Sequence, residues 1–144
     1  MRSCGKKKRH TIKSQIVIDT QSLKIICTAH GTGKEHDLKL FKRSRIKPIK
    51  SIEILADKGY LGINKIHNSS HIPFKKPKKR SLTSRQKEYN RELARHRIYV
   101  EHVIRCLKIF RILAQPYRNR RRRFKLRFNL ISGLYNRGLE LATA

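Results

Sequence analysis

Between residues 90 and 113 the apolar side chains fall at Val100, Val103, Ile104, Leu107 and Phe110. That is the i, i+3, i+4, i+7, i+10 spacing of an amphipathic helix with one buried stripe. No Pro or Gly interrupts the stretch, and Thr83 or Ser84 is placed to cap the helix near its start. Gln115-Pro116 breaks the pattern. It resumes over 124–141 with Phe124, Phe128, Ile131, Leu134 and Tyr135, which predicts a final helix carrying Gly133 and Gly138.

The first half of the chain reads differently. Residues 11–18 and 23–29 are rich in β-branched side chains, and Asp19–Ser22 between them supply turn residues. Such a pairing predicts an antiparallel hairpin. A loop, HGTGKE, follows, then His36-Asp37 and LKLFKRS, a short helix with Asp37 as its N-cap. Residues 51–56, SIEILA, predict a buried strand that ends on Asp57-Lys58-Gly59-Tyr60. Another short helix, LGINKIH, is expected next. HIPFK at 71–75 suits a short strand, with Pro73 favouring a sheet edge. The expected organisation is one domain over 1–144. It comprises a basic arm (1–10), strands and short helices (11–74), a basic linker (75–87) and C-terminal helices (88–141).

Charge changes the picture most. Lys and Arg total 37 against 9 acidic residues, a formal net charge of +28 in 144 residues. The excess runs along the whole chain, including five arginines between Arg118 and Arg123. A surface so charged repels itself unless it meets a polyanion, and nucleic acid is the usual one. No apolar run approaches the ~20 residues of a membrane span. No apolar segment follows the N-terminus as in a secretory signal. The expected setting is therefore the cytoplasm. The cysteines, Cys4, Cys27 and Cys106, form no CxxC and no zinc spacing. His96 and His102 are six apart, not the i, i+4 of a helical metal pair.

Against this background the acidic residues stand out. Arg97, Glu101 and Lys108 fall at i, i+4 and i+11, so one stripe of the long helix carries a carboxylate between two cations. An exposed i, i+4 ion pair would look the same. Asp57 closes an expected buried strand, where α/β sheets place ligands. It could equally begin a turn or cap the next helix. If Asp57 and Glu101 converge, they offer Mg²⁺ the hard oxygen ligands it prefers. Metal held there can assist phosphodiester chemistry, with Arg97 and Lys108 beside the strand to be cut.

Four blocks then carry a resemblance: Gly5-Lys-Lys-Lys-Arg-His10-Thr-Ile-Lys-Ser-Gln15; Lys34-Glu-His36-Asp37 with Leu40-Phe41; Ala56-Asp57-Lys-Gly59-Tyr60-Leu-Gly62; and Arg97 through Glu101-His102 to Lys108-Ile-Phe-Arg. In this order they resemble the bacterial insertion-sequence transposases of the DDE type over nearly the whole chain. The block around Glu101 is similar to that family's Tyr–Arg–Glu–Lys signature, with Ala94 where the Tyr would fall. The resemblance implies an α/β, RNase H-like core and an Asp, Asp, Glu triad holding Mg²⁺ or Mn²⁺. Asp57 would be the second Asp and Glu101 the Glu, both catalytic and metal-binding. Arg97 and Lys108 would contact DNA. It also implies DNA partners, namely element ends and a target, and a nucleoid-associated bacterial protein.

The family's first Asp belongs upstream of the GKKKRH block, so the expected core is incomplete, lacking its first strand. Asp19 is the candidate substitute, but it sits between two hairpin strands, at the end of the sheet away from Asp57. It is therefore expected to be a turn residue. The resulting expectation is a DDE-type transposase fragment, inactive alone, completed by an upstream fragment or by a homo-oligomer. The alternative from a different class is a small basic nucleic-acid-binding protein without catalysis.

Overall fold

A computed structural model describes residues 11–78, 80–116 and 121–143. The expected basic arm, with the GKKKRH residues and Cys4, and the first part of the arginine run, Arg118 and Arg120, lie outside the described residues.

The expected hairpin is present. β1 (Ile12–Ile18) pairs antiparallel with β2 (Ile25–Thr32). β2 runs further than its β-branched residues suggest, because Gly31 and Thr32 still pair with Lys13 and Ile12. A bulge falls where Cys27 opposes Val17 and Ile25 opposes Ile18, which leaves Ile26 unpaired and exposed. Asp19 lies in the connecting turn. Its carboxylate accepts bonds from the Gln21 and Ser22 backbone N–H groups at 3.3 and 3.0 Å and from the Ser22 hydroxyl. These bonds, led by the Ser22 hydroxyl, hold the Asp19 carboxyl below its ordinary range.

α1 (Asp37–Arg43) follows, burying Leu40 and Phe41. Here the expectation for Asp37 is corrected: the N-cap position is His36, without a side-chain cap bond, and Asp37 is the first helical residue. The strand expected over 51–56 shrinks to β3 (Ile54–Leu55), paired in parallel with β4 (Ser70–His71). It is also not the buried strand its apolar run suggests: Ile52 is 51% and Leu55 39% exposed. The physical reason is that among the described residues β3 has a neighbour on one edge alone. β1–β2 and β3–β4 are separate two-stranded sheets. The helix expected over LGINKIH shrinks to one 3₁₀ turn, Ile63–Lys65, which follows Gly62 (φ +93°) and an earlier 3₁₀ turn, Lys58–Tyr60.

α2 (Ser84–Lys108) starts inside the stretch expected as linker, because Thr83 and Gln86 form a reciprocal capping box. It stops at Lys108, so Phe110 lies beyond its end, as N-cap of α3 (Arg111–Ala114), and is partly exposed. α4 (Arg121–Thr143) is the last element. Val103 and Leu107 of α2, Phe124, Phe128 and Ile131 of α4 and Ile25 of β2 form the core, with Ile12, Ile16 and Ile18 of β1 packed against it. Even-numbered β1 residues thus face the long helices. Odd-numbered ones face the other way, where Lys13 meets α1. Asn136 of α4 ties the layers by bonding both backbone groups of Ile25, at 2.8 and 2.9 Å. Among the described residues no helix is long and apolar enough to cross a membrane.

Candidate active site

Asp57 follows β3 directly. The bond from Ala56 N–H to His71 C=O, 2.9 Å, carries the sheet pairing to its doorstep. Asp57 then turns the chain. It is the N-cap of the 3₁₀ turn, its carboxylate accepting from Lys58 N–H at 2.7 Å and its carbonyl from Tyr60 N–H at 2.9 Å. Asp57 is therefore both the residue after a strand, though not the buried strand expected, and the cap of the turn that follows. Capping occupies one lone pair of Oδ1 and leaves Oδ2 unbonded.

Glu101 projects from the middle of α2. Arg97 sits one turn earlier on the same face, as the i, i+4 spacing requires. Its guanidinium spans the gap between the elements: one nitrogen lies 3.5 Å from the Asp57 carboxylate and the other 3.7 Å from Glu101. The structure thus brings the two carboxylates to one place, separated by a single planar cation. Arg97, Asp57 and Glu101 are 49, 51 and 64% exposed at their side chains, so the group opens to solvent and to a large substrate. Lys108 stands apart. It is exposed at the C-terminal end of α2, about 10 Å along the axis from Glu101 at 1.5 Å rise per residue. Among the described residues no ion pair joins Lys108 to either carboxylate.

Three residues beside this site carried no functional expectation. Lys13 pairs with Asp37 at 2.8 Å and also donates to the Glu35 carbonyl at 2.7 Å. Asp37 in turn lies against Gly59, where a methyl group would collide with its carboxylate. Tyr60 packs edge-on to Phe41 at 6.4 Å. Burial, with the charges of Asp37 and Asp57 adding to it, pushes the Tyr60 phenol up to about 12. No periodicity signals these contacts, because each joins separate parts of the chain.

The donor chemistry suits a hard divalent ion. Both candidate ligands are carboxylates, and the space between them is already one that a cation fills. Among the described residues no group of three His, Cys, Asp or Glu converges on a common point. Asp19, bound into its own turn, adds nothing here. Mg²⁺ is commonly held by one or two carboxylates, with water and substrate phosphate completing its shell.

A strand-end Asp and a helical Glu bridged by Arg97 define an acid-centred site on a polycationic α/β protein. The chain belongs to the DDE superfamily endonucleases, whose family pattern matches residues 4–136. It is also similar to the probable transposase for insertion sequence element IS702 from Microchaete diplosiphon, with 56% identity over 137 residues. That alignment covers 95% of this chain and 50% of the relative, so the chain spans about half the relative's length. No solved structure is a significant match.

Proposed function

We propose that this chain supplies part of the active site of an insertion-sequence transposase, acting in DNA strand cleavage and transfer. The observation that carries the reading is the Arg97 bridge, which sets Asp57 and Glu101 on either side of one cation. Family membership and the similarity to a probable transposase support it. Two elements far apart in sequence present their carboxylates to a common point, and the surrounding +28 charge draws a phosphate backbone toward it.

In this reading Asp57 and Glu101 hold Mg²⁺ or Mn²⁺, which when bound supplies Lewis-acid assistance to phosphodiester chemistry. Asp57, anchored by Lys58 N–H, keeps its second oxygen free as a ligand. Glu101 is aimed by its place on a rigid helix. Arg97 balances the two negative charges before DNA arrives and can turn to a phosphate oxygen afterwards, making the paired contacts a guanidinium allows. Lys108 contacts the backbone further along as a point charge. The underlying architecture is an RNase H-like core. A further carboxylate comes from a segment or copy beyond the described residues, so the chain alone is weak or inactive. DNA, as element ends and target, is the partner, and the bacterial nucleoid is the place of action.

The test is plasmid cleavage in Mg²⁺ or Mn²⁺ by the chain joined to the remaining half of a full-length relative. Expected is cleavage that disappears in Asp57→Ala and in Glu101→Ala while DNA binding persists. Cleavage untouched by either substitution would overturn the assignment. DNA binding with no cleavage in any arrangement would favour a non-catalytic nucleic-acid-binding protein.

A further inference from the structure

The direction of the Asp57 carboxylate depends on the turn that follows it. Asp57 accepts from Lys58 N–H through its side chain and from Tyr60 N–H through its carbonyl. A turn of three residues held by two such bonds is weak by itself, since short 3₁₀ segments have poor hydrogen-bond geometry. Something outside it must hold its shape, and the contacts come from α1.

Asp37 lies at the first position of α1 with its carboxylate against the Cα of Gly59, in the space any side chain would need. One turn along, Phe41 meets Tyr60 edge-on. Leu38 lies 3.4 Å from where a Cβ on Gly62 would stand. The Asp37 carboxylate is itself fixed: its Oδ1 pairs with Lys13 Nζ at 2.8 Å, and Lys13 is held by the Glu35 carbonyl at 2.7 Å. A line of direct contacts therefore runs from β1 through Lys13 and Asp37 to Gly59, two residues past Asp57.

Two simpler roles for Asp37 fail. It does not cap α1, whose N-cap position is His36. Nor does it stand open to a metal, because Oδ1 is paired with Lys13 and Oδ2 is pressed against Gly59. We infer that Asp37, held by Lys13, is a positioning residue that fixes the Asp57–Tyr60 turn and so aims the Asp57 carboxylate toward Arg97 and Glu101. Lys13 also makes the arrangement tolerable electrostatically, since an unpaired Asp37 would repel Asp57 across the turn. The shared influence of Asp37 and Asp57 on the buried Tyr60 phenol is the electrostatic counterpart of this adjacency. The inference rests on reading Asp57 as a metal-holding carboxylate.

The experiment is NMR on the whole chain, comparing the native sequence with Asp37→Ala, Asp37→Asn and Lys13→Met. The amide of Tyr60 reports the turn, and the amides of Val103 and Leu107 report the core. Expected is exchange at Tyr60 faster by about tenfold in all three variants, as a local opening, with the core amides unchanged. Added Mn²⁺ should broaden Asp57 and Glu101 together in the native chain, but Glu101 more than Asp57 in the variants. If Asp37→Ala loosens the core amides, Asp37→Asn, which keeps the side-chain shape, decides. Unchanged Tyr60 exchange in the folded variants overturns the inference. If Mn²⁺ broadens neither carboxylate in the native chain, the metal reading fails, while Tyr60 exchange still decides whether Asp37 holds the turn.

Discussion

Arg97 reaches Asp57 across the gap between α2 and the turn after β3, its guanidinium 3.5 Å from the carboxylate, while its other nitrogen faces Glu101 at 3.7 Å. All three side chains are about half exposed or more, so the bridge organises charge rather than stability. Arg97→Gln is expected to change the unfolding free energy by no more than about 1 kcal/mol, the range of exposed ion pairs. It should have a larger effect on metal. Removing a cation that sits between the two ligands removes a competitor, so Mn²⁺ should broaden the Asp57 and Glu101 NMR signals at lower concentration. A need for more Mn²⁺ would mean that Arg97 arranges the carboxylates instead of competing for them.

Stability resides elsewhere. Leu107 is 2% exposed and Val103 0%, packed among Phe124, Phe128 and Ile131. Leu107→Ala should cost about 2–5 kcal/mol, through lost burial and the cavity left behind. Urea unfolding followed by circular dichroism measures it. A loss below 1 kcal/mol would show that α2 and α4 do not form the core together.

His30 predicts a pH dependence. It is buried against Phe124 and Phe128, with ring centroids 5.5 and 4.8 Å away, and Ser14 lies 3.0 Å from its Nδ1. Burial lowers its pKa below the ordinary 6.5, with the nearby Lys125 charge acting in the same direction. A base whose pKa is depressed on folding binds a proton more readily when unfolded. Its contribution is therefore complete above about 6.5 and is lost as pH falls from there through the lower folded value. Melting temperature should drop as pH falls through that window. His30→Phe should flatten the dependence, and an unchanged slope would assign it to other groups.

How far the sequence could be read depends on the range of each contact. The α2 stripe at Val103 and Leu107 and the Thr83 cap are local patterns, and both appear in the structure. The β1–β2 hairpin is legible for the same reason, with the Asp19 turn between two β-branched runs. β3 is not, because an apolar run such as SIEILA announces burial without saying what covers it. Asp57 and Glu101 entered as candidates on residue type and family resemblance. Nothing in their spacing foretells that Arg97 would bridge them. The Lys13–Asp37–Gly59 contacts were invisible, since a helical Asp after a His looks like an ordinary cap.

DNA binding should follow charge. With +28 spread along the chain, association rests on many phosphate contacts and little base readout. If about 6–10 phosphates are neutralised, affinity should fall by about 10³–10⁵ between 50 and 200 mM salt. Fluorescence anisotropy on duplexes of unrelated sequence measures this. An affinity nearly independent of salt would contradict the electrostatic account.

Among the described residues β1 pairs with β2 alone and β3 with β4 alone, and the pairs do not join. Each strand therefore has one edge of backbone N–H and C=O groups without a strand partner. Such edges attract other chains and favour aggregation unless a strand covers them. Short sheets are also poorly stable alone. A strand between β1 and β3 would join both pairs and cover Ile52 and Leu55, the exposed apolar residues of the β3 segment. The relative extends well beyond the part this chain matches, so the other half of such a protein is the natural source of that strand. The chain by itself is expected to melt early and to aggregate at low salt. Co-expressed with the unmatched half of the relative, it should stay soluble and melt at higher temperature. Amides of β1 and β3 should gain protection from exchange, while those of α4 change little. If the added half raises stability without protecting β1 and β3, it binds elsewhere. If the chain alone is a stable, cooperative monomer, the two edges are already satisfied and no completing strand is required.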